Sequence, residues 1–288
     1  MVNSIKIYKD FKIKENHKKS IILIGNFDGV HLGHQKLFAL AKKFKKNFGV
    51  KIGVLTFEPM PKMFFDNTLK NFRISSLNQK INLLKRQSVD FIIIKKFTKV
   101  FSKTKSINFI NKIISNKLNP RFIFVSNNFR FGNKREGSVR QLIKYESLNN
   151  YKIIKPQPLS KKKRIISSSL IRNYLKAGRL DKANKLLNRN WSIIGKVQKG
   201  KQLGKKIGFP TANIDIKDYV LACPGVYAVK VKSQKGKNYI KGIANLGYRP
   251  TFGGKKILLE VHLFNFSGNL YDKYLTIEFL KFIRKEKK

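Results

Sequence analysis

The residues able to do chemistry gather at two glycine-punctuated turns. The first is Gly25-Asn26-Phe27-Asp28-Gly29-Val30-His31-Leu32-Gly33-His34, which follows an apolar run and precedes a helix-like segment. Such a turn offers backbone N–H groups and a helix N-terminus to a phosphate. Gly25, Gly29 and Gly33 permit close backbone approach, and His31 and His34, three apart, share one side of the first helical turn, so both can face one anion. Two of the 4 histidines sit here, more than an incidental strand-to-helix turn would collect. Zinc is excluded, because no His-Glu-x-x-His pattern or nearby cysteine supplies further ligands.

The second turn is Gly204-Lys205-Lys206-Ile207-Gly208-Phe209-Pro210-Thr211-Ala212-Asn213, a basic loop running into a strand-like segment. Just before it, residues 195–201 nearly spell a Walker A loop, but Gln202 replaces its Ser/Thr and no helix follows. Further on, Leu259-Glu260-Val261-His262-Leu263 alternates, which places Glu260 and His262 on one strand face and the three apolar residues on the other. A lone glutamate on a strand is ordinarily solvated surface. Beside a phosphate-type loop it is a candidate base for a hydroxyl nucleophile, and His262 reads as structural.

The elements that hold these turns follow from the apolar pattern. Runs at 21–24, 52–57, 91–94 and 122–125 alternate with helix-like stretches at 37–48, 77–87, 107–117 and 139–148. That order predicts an α/β domain with a parallel sheet, whose ligands bind at the carboxyl ends of strands, where the loops beginning at Gly25, Phe57 and Ser126 lie. Two short helical stretches, 170–176 and 180–187, precede a change of texture. Strand-like segments at 191–199, 226–232, 239–245, 257–264 and 275–279, separated by glycine and proline turns, predict a small antiparallel barrel. The domain boundary is placed at 188–190, giving domains 1–187 and 188–288, and no internal repeat is evident.

With 288 residues, 42% of them hydrophobic, the chain has apolar mass for two cores and is no disordered tail. The single Cys223 forms no internal disulfide, which fits a reducing compartment and predicts the cytoplasm. Residues 1–20 are polar and Lys-rich, and the apolar run that follows is too short for a signal segment or a bilayer span, so no membrane partner is expected. The 63 Lys+Arg against 15 Asp+Glu give +48, which invites a nucleic-acid reading. These cations are spread along the whole chain and travel with Asn, Ile and Phe, as drift toward A and T in coding sequence produces. Specific nucleic-acid binding is therefore not expected, and nothing here signals an oligomeric state.

The string GNFDGVHLGHQ resembles the nucleotidyltransferase signature of the bacterial bifunctional riboflavin kinase/FAD synthetase family. The resemblance continues through Thr56-Phe57-Glu58-Pro59-Met60-Pro61, Asn128-Phe129-Arg130-Phe131-Gly132 and residues 166–172, and through Gly-Phe-Pro-Thr-Ala-Asn at 208–213, covering about 21–287. It implies a Rossmann-like adenylyltransferase domain followed by a riboflavin kinase barrel, with ATP, riboflavin, FMN and FAD as substrates and products. In the first domain it implies that His31 and His34 grip ATP phosphates in the cradle of Gly25, Asn26, Phe27, Asp28, Gly29 and Gly33. Ser167, Ser168 and Arg172 would close over them, and Asn128, Phe129 and Arg130 are flavin-binding candidates. In the barrel it assigns the nucleotide phosphates to Gly208, Pro210, Thr211 and Asn213, a metal to Thr211 and Asn213, and the riboflavin 5′-hydroxyl proton to Glu260. Hard oxygen ligands suit Mg²⁺.

Asn128 stands where the family usually has Asp, and Met60 where it often has His, so slower adenylyl transfer is expected. The chain ends at Lys288, where family members usually continue into a further helix, so weaker riboflavin affinity is expected. The alternatives are a chain retaining one of the two activities, or a basic nucleic-acid-binding protein on a decayed enzyme scaffold.

Overall fold

The apolar runs of the first half become parallel strands in a computed structural model, which describes residues 5–161, 164–198, 211–216, 218–233, 236, 238–251 and 254–286. Packing divides the chain into two units, Met1–Thr68 with Lys80–Ile166, and Leu69–Gln79 with Ser167–Lys288.

In the first unit six parallel strands lie in the order β1 (Lys6–Tyr8), β4 (Phe91–Lys96), β3 (Ile52–Glu58), β2 (Ile21–Ile24), β5 (Phe122–Phe124) and β8 (Lys152–Ile154). A hairpin, β6 (Arg130–Phe131) with β7 (Gly137–Ser138), and a ribbon, β9 (Ser160–Lys161) with β10 (Arg164–Ile165), accompany the sheet. Ile22 and Ile24 enter one apolar cluster with Phe91, Ile110 and Ile123, while Ile21 and Leu23 enter another with Phe38, Val54 and Ile92. Burial on both faces is why these strands read as unbroken apolar runs. The expected helices form as Leu32–Phe48, Leu77–Lys85, Phe109–Leu118 and Val139–Lys144. Because β3, β2 and β5 are parallel neighbours, the segments that follow them emerge at one edge of the sheet.

The second unit is a closed antiparallel barrel of β11 (Ser192–Gln198), β12 (Thr211–Ile214), β15 (Gly254–Leu263), β14 (Ile240–Thr251), β13 (Gly225–Ser233) and β16 (Tyr274–Lys285), with β16 pairing back onto β11. Ile193, Ile214, Leu246, Val261 and Ile277 are buried in it. The helices Ser168–Lys176 and Leu180–Leu187 pack with this barrel: Asn184 Nδ2 donates to Phe279 O at 3.0 Å, and Trp191 N donates to Asn184 Oδ1 at 2.7 Å.

Residues 69–79, far away in sequence, are also part of the second unit. Arg73 N donates to Asp218 O at 2.9 Å and Val220 N to Arg73 O at 2.6 Å, so the segment adds a short parallel bridge beside Tyr219. The buried Trp191 donates its indole N–H to Ile74 O at 3.0 Å. Gln79, also buried, donates to Ser192 O and Oγ at 3.1 Å each and accepts from Tyr219 Oη at 2.5 Å. Replacing Gln79 with Leu strands these partners, at an expected cost of about 1–3 kcal/mol. Urea unfolding should show a lower midpoint for Gln79→Leu than for Ser192→Ala, which removes one bond from the same cluster.

Candidate active sites

The first site is built on strained backbone. Gly25 N donates to Leu55 O at 3.1 Å as β2 ends, and the chain then turns through left-handed φ at Phe27 (48°), Gly29 (78°) and Val30 (38°). Left-handed geometry is costly for Phe and for the β-branched Val. Both side chains are buried, at 2% and 1% exposure, and their apolar contacts offset that cost. His31 caps the helix Leu32–Phe48, whose first turn has no acidic residue, leaving its positive end to an anion.

The structure brings His31 and His34 together: their rings stack with centroids 3.7 Å apart and planes 19° from parallel. Phe27 meets His34 edge-on at 5.2 Å. The His34 Nδ1 is buried with no hydrogen-bond partner. Burial first, and the neighbouring His31 second, hold His34 well below the usual imidazole range, so it is neutral near pH 7. Asp28 and His31 are buried, Asn26 is exposed, and a Cβ at Gly33 would sit 3.2 Å from both the His31 ring and Ile166 O.

Sequence reasoning passed over Lys80. Its ammonium is buried in the first unit, 3.4 Å from Thr56 Oγ1 and 3.7 Å from Glu58 Oε2, and Thr56 Oγ1 donates to Asn26 O at 3.3 Å. A relay thus runs from Lys80 through the end of β3 to the phosphate-type turn. The available signal was its spacing: Lys80 lies three after Leu77 and four before Leu84, within the apolar stripe of the helix. Also unremarked was an aromatic cluster after β3 and β4, where Phe64, Phe65 and Phe97 meet edge-on at 5.1 to 5.8 Å and Phe65 is 67% exposed.

At the carboxyl end of β5, Asn128 is exposed, with Ser126 Oγ donating to its Oδ1 at 2.9 Å. Phe129 is half-buried and stacks on Phe131 at 5.6 Å, while Arg130 is exposed. Met60 is buried at 2% exposure as the N-cap residue of a short helix. The Ser167–Arg172 motif falls in the second unit. There Ser167 Oγ caps its helix by accepting from Leu170 N at 3.2 Å, and Ser168 opens the first turn. Arg172 is no solvated helix residue: it is buried, donates Nε to Phe72 O at 2.7 Å, and lies 3.7 Å over the Phe72 ring.

The second site is a row across three barrel strands. Asn213 on β12 and Asn245 on β14 are the two cross-strand partners of Glu260 on β15. Two residue pairs along, Thr211 opposes His262. Leu259, Val261 and Leu263 point into the core, and Glu260 and His262 are half-buried on the other face, as the alternation predicts. Asn213 is buried, and its Oδ1 has no hydrogen-bond partner. Gly208 and Pro210 lie outside the described residues.

Family models for FAD synthetase and riboflavin kinase match residues 13–170 and 187–288. Among relatives named bifunctional riboflavin kinase/FMN adenylyltransferase, the one from Buchnera aphidicola subsp. Schizaphis graminum is 40% identical, covering 95% of this chain and 88% of its own. Those from Haemophilus influenzae and Escherichia coli are 37% and 34% identical, covering 92% and 93% of this chain and 86% and 85% of theirs. A solved Streptococcus pneumoniae structure, titled a macrolide-efflux protein, aligns at TM-score 0.85 and 28% identity over 98% of this chain and 91% of that one.

Two measurements test this geometry. Unfolded His34 takes a proton below about pH 6.5 that the folded site refuses, so the unfolded state binds more protons there. Stability is therefore expected to fall as pH drops from 6.5 toward the lowered folded value, by up to about 1.4 kcal/mol per pH unit. In urea titrations at pH 7 and 5.5, His34→Gln should lose less stability than the parent. Lys80→Met should slow adenylyl transfer at least tenfold, and adding Thr56→Val should slow it little further, since both act through one relay. Independent, multiplying losses would show that the relay does not exist.

Proposed function

Because the chain belongs to the family of bifunctional riboflavin kinase/FMN adenylyltransferases, and so converts riboflavin to FMN and FMN to FAD, we propose how its two sites divide that work. The first unit joins FMN to the AMP part of ATP. The FMN phosphate attacks the α-phosphorus, the bond to the β,γ-diphosphate breaks, and pyrophosphate leaves. The nucleophile is already anionic, so the demand is positioning and stabilisation of negative charge rather than proton removal. The stacked His31/His34 pair supports this reading: a neutral imidazole keeps one N–H to donate, and the turn adds backbone N–H groups beside a helix N-terminus. Asn128, Phe129 and Arg130, with the aromatic surface at Phe64 and Phe65, are offered to the flavin.

The barrel phosphorylates riboflavin, with ATP as donor. Here the nucleophile is a neutral hydroxyl, and Glu260 accepts its proton as oxygen attacks the γ-phosphorus and ADP departs. A magnesium ion suits this site: the buried Asn213 Oδ1 lacks a partner, and the Thr211 hydroxyl lies two residues along the same strand face. Thr211 and Asn213 would hold it, and it would neutralise charge on the transferred phosphates. Among the described residues no helix is long and apolar enough to cross a membrane, and we place the reactions in the cytoplasm.

The Asn213–Glu260–Asn245 row carries the kinase assignment. It is tested by chromatography of flavins formed from riboflavin or FMN with ATP and magnesium. His31→Ala should cut FAD formation about 10²–10³-fold with FMN formation intact. Glu260→Gln should cut FMN formation about 10²–10⁴-fold while FMN is still converted to FAD. Equal loss of both activities in either folded variant would defeat the division of labour.

A further inference from the structure

Asn245 and Glu286 hold an arrangement that neither proposed reaction uses. Asn245 lies directly across from Glu260, on the side away from Asn213. Residues so paired have Cβ atoms about 4.5–5.5 Å apart. The Asn245 Oδ1 is buried and accepts no hydrogen bond, while its Nδ2 donates to Glu286 Oε1 at 3.3 Å. A carboxylate in its ionised form only accepts, so Glu286 fixes the amide with Nδ2 toward itself and Oδ1 away. Gly247 makes room for that carboxylate: a Cβ there would lie 2.5 Å from Glu286 Oε1.

A buried carbonyl oxygen held in one orientation without a donor is a destabilising feature unless a ligand completes it. Phosphate oxygens cannot complete it when ionised, since they also only accept. A sugar-alcohol hydroxyl can. The geometry points to Asn245 as the residue that reads the polyol chain of riboflavin, accepting a hydrogen bond from a chain hydroxyl near the one whose proton Glu260 takes, with Glu286 as its positioning residue. This rests on Glu260 being the kinase base, and it adds a specificity contact on the opposite side of that base from Asn213.

The test compares KM and kcat for FMN formation with riboflavin and with analogues that each lack one secondary hydroxyl of the chain. Asn245→Ala is expected to raise KM for riboflavin about tenfold, one hydrogen bond's worth of affinity, with kcat changed less than about threefold. For one analogue, parent and variant should have the same KM, because the hydroxyl being read is already missing. Glu286→Ala should raise KM about threefold, and Glu286→Gln, which still offers an acceptor oxygen, should restore it. FMN-to-FAD conversion in the same preparations reports an intact chain. The inference is overturned by an unchanged KM in Asn245→Ala, or by a penalty identical for every analogue, which would mark Asn245 as structural. If Asn245→Ala also loses FAD formation, the Glu286 pair decides, and equal KM values for its Ala and Gln variants overturn the inference. A parent chain that makes no FMN, or a fully active Glu260→Gln, would instead remove the reading of Glu260 beneath it.

Discussion

The left-handed backbone at Phe27, Gly29 and Val30 is the constraint on which the first unit's chemistry depends. Those three residues turn the chain between the end of β2 and the start of the helix that His31 precedes. Phe27 and Val30 do not favour such φ values. They keep them because both side chains are buried beside Phe38 and Val54, because Gly25 is tied to Leu55, and because Thr56 donates to Asn26 O. The core thus supports the turn from below, and Lys80 reaches the same support through Thr56. Preorganisation of this kind suits a reaction whose nucleophile needs no activation, since donors already in place pay no reorganisation cost as charge develops.

A chain of +48 has few carboxylates, and three half-buried ones each tie parts of the fold together. Asp90 receives Lys45 Nζ at 2.6 and 2.7 Å and the Ile52 amide at 2.7 Å, which fixes the start of β3. Glu146 accepts from Ile153 N at 2.7 Å and so holds β8. Glu278 on β16 gathers Lys230, Tyr239 and Asn190 at 3.1, 2.5 and 3.2 Å, and the hydrogen bonds from Tyr239, Lys230 and Asn190 lower its pKa against the burial that raises it. Glu260 belongs to a different group, since its neighbours in the row are amides rather than cations.

Much of this was legible in the sequence because the pattern and the burial have one cause. The runs at 21–24 and 91–94 are strands buried on both faces, and the alternation at 259–263 is a barrel strand with one face in the core. Three other features were not legible. β1 has three residues, Lys6–Tyr8, within a lysine-rich stretch, and its place depends on pairing with β4, where Lys6 meets Phe91. The attachment of 69–79 to the barrel combines backbone groups of Arg73 and Ile74 with the Gln79 side chain, and the partners Trp191, Ser192 and Tyr219 lie too far away in sequence for any local pattern to join them. The helices Ser168–Lys176 and Leu180–Leu187 read as helices, yet what they pack on is a property of the whole chain.

The two chemistries differ in one respect that the two sites reflect. FMN arrives as an anion, so its site is proposed to offer donors: imidazole N–H, backbone N–H and a helix N-terminus. Riboflavin arrives as a neutral hydroxyl, so its site is proposed to offer a base and, around it, acceptors: Glu260 between the unpaired oxygens of Asn213 and Asn245. Donors alone would bind the riboflavin chain without activating it, and acceptors alone would repel the phosphates of ATP unless a cation stood between them. That is the physical reason we propose a divalent ion beside Thr211 and Asn213. It is also the reason Asn245, on the far side of the base, is better suited to a hydroxyl than to a phosphate.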